Sequence, residues 1–181
     1  MDKVARLGQG ERSELFRETA NRMGLPEVIV EKDFWVCWVL RYLFSESAVS
    51  TAIIFKGGTS LSKVFDIIER FSEDIDLILN WELLGIPGDE PWLGRSKTQQ
   101  DKYNKRVTQE AQRYIGGEFV GMLQRDFGGR DIHGLTAEVD PDDACVIRVR
   151  YPRAFGSAYI LPEIRLEIGP LASWVPHDPH T

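Results

Sequence analysis

Between residues 11 and 23 the apolar positions Leu15, Phe16, Ala20 and Met23 recur at helical spacing, and Gly24-Leu25-Pro26 ends the run. This predicts an amphipathic helix packed on the main body. From 28 to 44 the pattern changes. Phe34, Trp35, Trp38, Val39, Tyr42 and Leu43 are spread around the circumference, so a second helix is predicted to be central and buried. Glu31, Lys32 and Asp33 near its start read as solvated first-turn charges, where acids suit the helix dipole. A buried strand is predicted over 52–55, then a turn at Gly57 and Gly58, a short helix over 60–68 and a strand over 74–79. The stretch 81–94, with Pro87, Pro91 and several glycines, reads as a loop whose Trp81 and Trp92 either pack or stack on a base. A long helix is predicted over 97–127, with Val107, Ala111, Tyr114 and Ile115 as its inner stripe and Gly116-Gly117 as a break. After a polar connection over 128–143, the segment 144–151 alternates, with Cys145, Ile147, Val149 and Tyr151 opposite Val146, Arg148 and Arg150. The last strand, over 159–169, sets Ile164, Leu166 and Ile168 against Glu163, Arg165 and Glu167.

Composition narrows the class. At 181 residues, 43% hydrophobic and 28% charged, the chain fits one folded domain. The formal net charge of −6 excludes a generally basic nucleic-acid coat, so any such contact must be local. Between Arg95 and Arg130 the sequence has eight basic residues (Arg95, Lys97, Lys102, Lys105, Arg106, Arg113, Arg125, Arg130) against four acids. That excess is either an RNA-facing surface or an ordinary solvated helix face. Two cysteines far apart, Cys37 and Cys145, read as reduced core residues of a cytosolic protein. The N-terminus lacks the apolar run of a signal peptide, and no segment approaches a membrane span.

The chemistry is concentrated between Ile53 and Leu79. In an extended chain Asp74 and Asp76 share one face and Ile75, Leu77 and Leu79 the other. Two acids so placed repel unless a cation lies between them, and Mg²⁺, which takes oxygen ligands and leaves room for substrate phosphates, suits the pair. Gly57 and Gly58 let the backbone approach a ligand, and the N–H groups opening a helix at Thr59 and Ser60 favour an anion. Taken singly, Gly-Gly-Thr-Ser is also an ordinary capped turn and Asp-x-Asp an ordinary solvated strand end. Their conjunction on one strand-helix-strand unit is more specific. Lys56 and Lys63 either neutralise phosphate charge or are simply solvated, with Lys63, one turn into the helix, the better placed. Arg70 is a candidate phosphate ligand through its planar fork, and Ser72 a candidate hydrogen-bonding neighbour of the acids.

The string F-K-G-G-T-S-L-S-K with R-F-S-E-D-I-D-L, preceded by V-E-K-D-F-W-V-C-W-V-L, resembles the AbiEii/AbiGii toxin family within the DNA polymerase β-like nucleotidyltransferase superfamily. The resemblance runs from about Val30 to Gly169. It implies an α+β fold, a mixed sheet with helices packed on it, with N-terminal helices over 1–45 and a catalytic core over 50–169. It places Glu31, Lys32 and Asp33 near the nucleotide-binding face. It also implies a third carboxylate on a later strand, for which Glu167 is the first candidate and Glu163 the second, while a Glu163-Arg165 contact is the purely structural alternative. Members continue into a helical second domain that has no counterpart here, so the chain is expected to be the N-terminal half of a longer protein. The implied activity is Mg²⁺-dependent transfer of a nucleoside monophosphate from an NTP to an acceptor hydroxyl, with tRNA or another RNA as acceptor. Asp74, Asp76 and Glu167 would hold the metal, Lys63 would assist, and Gly57, Gly58, Thr59, Ser60 and Arg70 would bind the phosphates. The biological setting implied is a cytoplasmic toxin with a cognate antitoxin, or a phage-resistance system. Two rivals remain: a nucleotide- or RNA-binding module with a degenerate site, and a metal-dependent sugar transferase built on Asp-x-Asp alone.

Overall fold

The computed structural model describes residues 1–57 and 74–171. Its strands β1 (Ile53–Lys56), β2 (Asp74–Leu79), β3 (Thr136–Val139), β4 (Val146–Arg150) and β5 (Glu163–Ile168) form one sheet in the order β1-β2-β5-β4-β3. β2 and β5 are parallel and every other pairing is antiparallel. The two central strands both alternate strictly, burying Ile75, Leu77 and Leu79 on β2 and Ile164, Leu166 and Ile168 on β5. A slip of one residue would turn the apolar set outward, so alternation fixes which side chains share the opposite face. Which of those charges then stand beside each other is set by the pairing of the strands.

Helices supply the other side of the core. α1 (Asp2–Ala5) and α2 (Gln9–Met23) lead into α3 (Glu27–Ser45), and α2 stops at Gly24, whose φ of 67° is the left-handed cap that glycine adopts without strain. Trp35, Val36, Trp38, Val39, Tyr42 and Leu43 of α3 are all fully buried, as the apolar circumference predicts. The long helix also forms, as α4 (Lys97–Tyr114) and α5 (Val120–Gly128), and Gly116-Gly117 fall in a π-helical turn (Ile115–Phe119) between them. Ser96 and Gln99 cap α4 reciprocally, each side chain bonding the other's backbone N–H. Between α3 and α5, the Tyr42 hydroxyl donates to Asp126 at 2.5 Å, under the Arg130 guanidinium. Burial and the Asp126 charge hold the phenol far above its ordinary pKa, so it stays a donor. Tyr42→Phe should lower stability by about 1.5–3 kcal/mol, read from the urea midpoint, because the bond it removes is to a charged acceptor.

Several expectations are corrected. Glu31 and Lys32 are not solvated first-turn charges: they are 1% and 2% exposed. Glu31 accepts from the backbone N–H groups of Ala154 and Phe155, and Lys32 donates to the carbonyl of Leu161. Both therefore hold the β4–β5 connection against α3, an arrangement between segments more than a hundred residues apart that helix periodicity does not reveal. The connection over 128–143 contains β3, whose four residues are too few for alternation to show against the surrounding glycines and aspartates. The stretch 81–94 has two short 3₁₀ turns, Trp81–Leu84 and Glu90–Trp92. Cys37 and Cys145 are not joined in a disulfide, but each is only partly buried.

Candidate active site

Charges gather on the face of the sheet away from the core. Register places Lys56 of β1 beside Asp76 of β2, and Asp76 beside Glu167 of β5. The next row sets Asp74 beside Arg165, then Arg148 of β4 and Glu138 of β3. Neighbouring strands lie about 4.8 Å apart, so Asp76 and Glu167 stand side by side, with Asp74 about 7 Å along the same strand. Asp76 and Glu167 border a cleft of about 230 Å³ that Lys56, Asp143, Cys145 and Gly169 also line.

Gly57 has a reason the sequence did not disclose. Its φ is 77°, and a Cβ built on it would lie 1.9 Å from Asp76 Oδ2 and 2.6 Å from Cγ. The glycine that ends β1 thus makes room for the aspartate carboxylate itself. Gly57→Ala should displace Asp76 and add the roughly 1–2 kcal/mol of left-handed strain that a Cβ brings. We expect activity to fall further than that stability loss explains, by comparison of turnover with thermal midpoint. Gly58, Thr59, Ser60, Lys63, Arg70, Ser72 and the short helix expected over 60–68 lie outside the described residues.

Glu163 is not part of this cluster. It lies four residues before Glu167, about 13 Å along β5, and it faces Arg150, whose Nε is 3.7 Å from its carboxylate. Arg165 instead turns toward Asp140, to which it donates at 2.9 Å, and toward Glu167 at 3.4 Å. Burial would weaken the guanidinium's hold on its proton, but Glu167, Asp140 and Asp74 outweigh it and keep its pKa above the ordinary value. Asp140 is held below the usual carboxylate range, chiefly by the backbone N–H of Asp142, with Arg165, the Asp143 N–H and Arg148 adding to it.

Among the described residues, no three His, Cys, Asp or Glu groups converge closely enough to hold a metal ion as the side chains stand. The backbone nevertheless suits a hard cation, because two carboxylates are in register and a third projects from the same face. Glu167 accepts from Arg165 at 3.4 Å, and its side chain is 44% exposed. A contact that long and that solvated is weak.

Sequence reasoning missed Asp143 and Cys145 and ranked Lys56 below Lys63. The Asp143 position comes from a turn in which Asp140 Oδ1 accepts from the N–H groups of Asp142 and Asp143. The run Asp140-Pro141-Asp142-Asp143 is the signal that points to such a turn. Burial and the Asp143 charge push the Cys145 thiol up, which leaves it protonated and unsuited to nucleophilic attack.

Helices packed on one side of a mixed five-stranded sheet, with acids ranked on the other, make an α+β framework of the kind expected of a nucleotidyltransferase. The chain belongs to the AbiEii family, described as the nucleotidyl transferase AbiEii toxin of type IV toxin–antitoxin systems, whose model matches residues 38–181. Neither the search of curated proteins nor that of solved structures returned a match. Membership of a toxin–antitoxin family implies a cognate antitoxin. Among the described residues, no helix is long and apolar enough to cross a membrane.

Proposed function

We propose that the chain transfers a nucleoside monophosphate from an NTP to an acceptor hydroxyl on RNA, with tRNA the first candidate, as a cytoplasmic toxin restrained by its antitoxin. The observation that supports this reading is the register of Asp76 with Glu167, beside Asp74 and above the glycine turn at Gly57. In the reaction the acceptor oxygen bonds to the α-phosphorus, the bond to the bridging oxygen breaks and pyrophosphate leaves. The hydroxyl proton passes to a carboxylate of the cluster. Mg²⁺ bound by Asp74, Asp76 and Glu167 would supply charge neutralisation and acidify the attacking hydroxyl. Lys56 lines the same cleft and would draw the phosphates toward Asp76. Gly57, Gly58, Thr59, Ser60 and Arg70 would bind the phosphates, and Lys63 would assist.

A second reading, a nucleotide- or RNA-binding module without catalysis, is favoured by the Glu167–Arg165 contact and the absence of a three-acid group among the described residues. Incubation with Mg²⁺, each labelled NTP in turn and total RNA separates the two. Label should enter RNA from at least one NTP and should be lost with EDTA. Tight RNA or NTP binding with no label transferred under any condition would leave the binding module standing, and consumption of a nucleotide-sugar alone would overturn the class.

A further inference from the structure

The acid cleft does not account for a second cavity, of about 300 Å³. It lies beyond the C-terminal ends of β2 and β5, where Trp81 follows one strand and Pro170 and Leu171 the other. Chain connectivity ties it to the acids: Ile168 and Gly169 line the acid cleft, and Pro170 and Leu171 line this cavity. Even fully extended, the backbone between Glu167 and Leu171 spans no more than about 14 Å.

Its walls suit a flat, edge-polar group. Trp92 is 64% exposed and meets Trp81 edge-on at 6.0 Å, so the indole offers a ring surface that the described residues leave uncovered. Opposite, α4 contributes Gln100 and Asn104, and Gln100 Nε2 donates to Asn104 Oδ1 at 2.8 Å. Whichever way the two amides are turned, a pair bonded to each other keeps a carbonyl and an NH₂ for a ligand. A donor and an acceptor beside a stacking surface match the edge and the face of a nucleobase. Arg95 and Arg106 at this end of α4 are drawn to Glu90, whereas the exposed Lys97 and Lys102 form no ion pair among the described residues. Both lysines lie on the helix that carries Gln100 and Asn104, in a protein of net charge −6.

We propose that this cavity takes the unpaired terminal base of the nucleic-acid acceptor, stacked on Trp92 and read by the Gln100–Asn104 amides. The inference rests on the acid cleft being the transfer site. Direction selects the acceptor over the NTP. The attacking and leaving oxygens in phosphoryl transfer lie roughly in line, and Gly57, where the phosphate-binding turn begins, lies toward the N-terminal end of β2. Pyrophosphate leaving on that side puts the attacking hydroxyl on the other, toward the strand ends where the cavity lies.

The test uses an RNA hairpin with a single-stranded 3′ overhang, its blunt counterpart, and the wild-type and Trp92→Ala proteins. Binding is measured without NTP and transfer with it. Trp92→Ala should weaken overhang binding about 5- to 100-fold, as loss of one stacked base does, and leave blunt-hairpin binding unchanged. It should raise KM for the overhang acceptor and leave KM for NTP as it was. Equal overhang binding by the two proteins overturns the proposal, as does a rise in KM for NTP alone. Shielding of Trp92 from iodide in the free protein, read as the difference between wild type and Trp92→Phe, overturns it too, since the cavity would then be filled by protein. Overhang binding that depends on Trp92 in a protein that transfers nothing would support the base site and overturn only the transfer reading.

Discussion

Asp76→Asn is expected to lower nucleotidyl transfer by more than about 100-fold, beyond what loss of an outer-shell partner of a metal site costs, with no loss of thermal stability. The reason is positional. Asp76 is the member of the acid row with an ionisable neighbour on each side, Lys56 in register on β1 and Glu167 in register on β5. It is half-buried on the face away from the core, so the amide has room and water to satisfy it. The matched pair Glu167→Gln and Glu163→Gln then tests the assignment of the third acid. Glu167→Gln should reduce activity nearly as far, and Glu163→Gln should leave it close to wild type, because Glu163 faces Arg150 a full four residues away. Equal losses in the two variants would show that the acids act through the field of the face and not as ligands. Single-turnover rates at saturating NTP are the measurement, since they separate the chemical step from binding.

Glu31→Ala should destabilise the fold by about 2–6 kcal/mol, about 1–3 for each of the two backbone N–H groups left without an acceptor. Arg12, 4% exposed, donates to the carbonyls of Leu7 and Pro152 and lies over the Trp35 ring, so it stays buried and loses the favourable charge of Glu31. The backbone N–H groups of Ala154 and Phe155 would lose their acceptor as well. Glu31→Gln keeps an acceptor and should cost less, about 1–3 kcal/mol. The two variants also separate charge from hydrogen bonding. Burial raises the Glu31 pKa above its ordinary 4.5, and the Ala154 and Phe155 N–H groups and the charges of Arg12 and Arg153 counter this only in part. A carboxyl whose folded pKa is raised stabilises the fold below the unfolded value and loses that contribution as pH rises through the folded one. The wild type should therefore gain on Glu31→Gln as the pH falls toward 4.5. Urea midpoints for both proteins across that window are the measurement, and a gap that does not change with pH would mean that Glu31 is not paying a burial cost.

Much of this was legible because the periodic elements are strong. The buried circumference of α3, the inner stripe of α4 and the alternation of β2 and β5 follow from residue order, since each element must hide one set of side chains and the chain declares that set locally. Asp74 and Asp76 sharing a face also followed from strand geometry. The family could be recognised from the Gly-Gly and Asp-x-Asp strings and their neighbours.

Pairing is a different kind of fact. That Glu167, and not Glu163, stands beside Asp76 depends on the register of a parallel pair whose strands lie some ninety residues apart in sequence. Neither strand declares that register locally, because every two-residue shift buries the same apolar face. Lys56, Asp143 and the hold of Glu31 on the Ala154 and Phe155 N–H groups were hidden for the same reason, since each acquires its role from a neighbour distant in the chain. Residue order by itself determined the elements, their inward faces and the kinds of group able to do chemistry. Only the tertiary structure decided which of those groups meet, because what selects among equally amphipathic registers is the packing of the whole sheet against its helices.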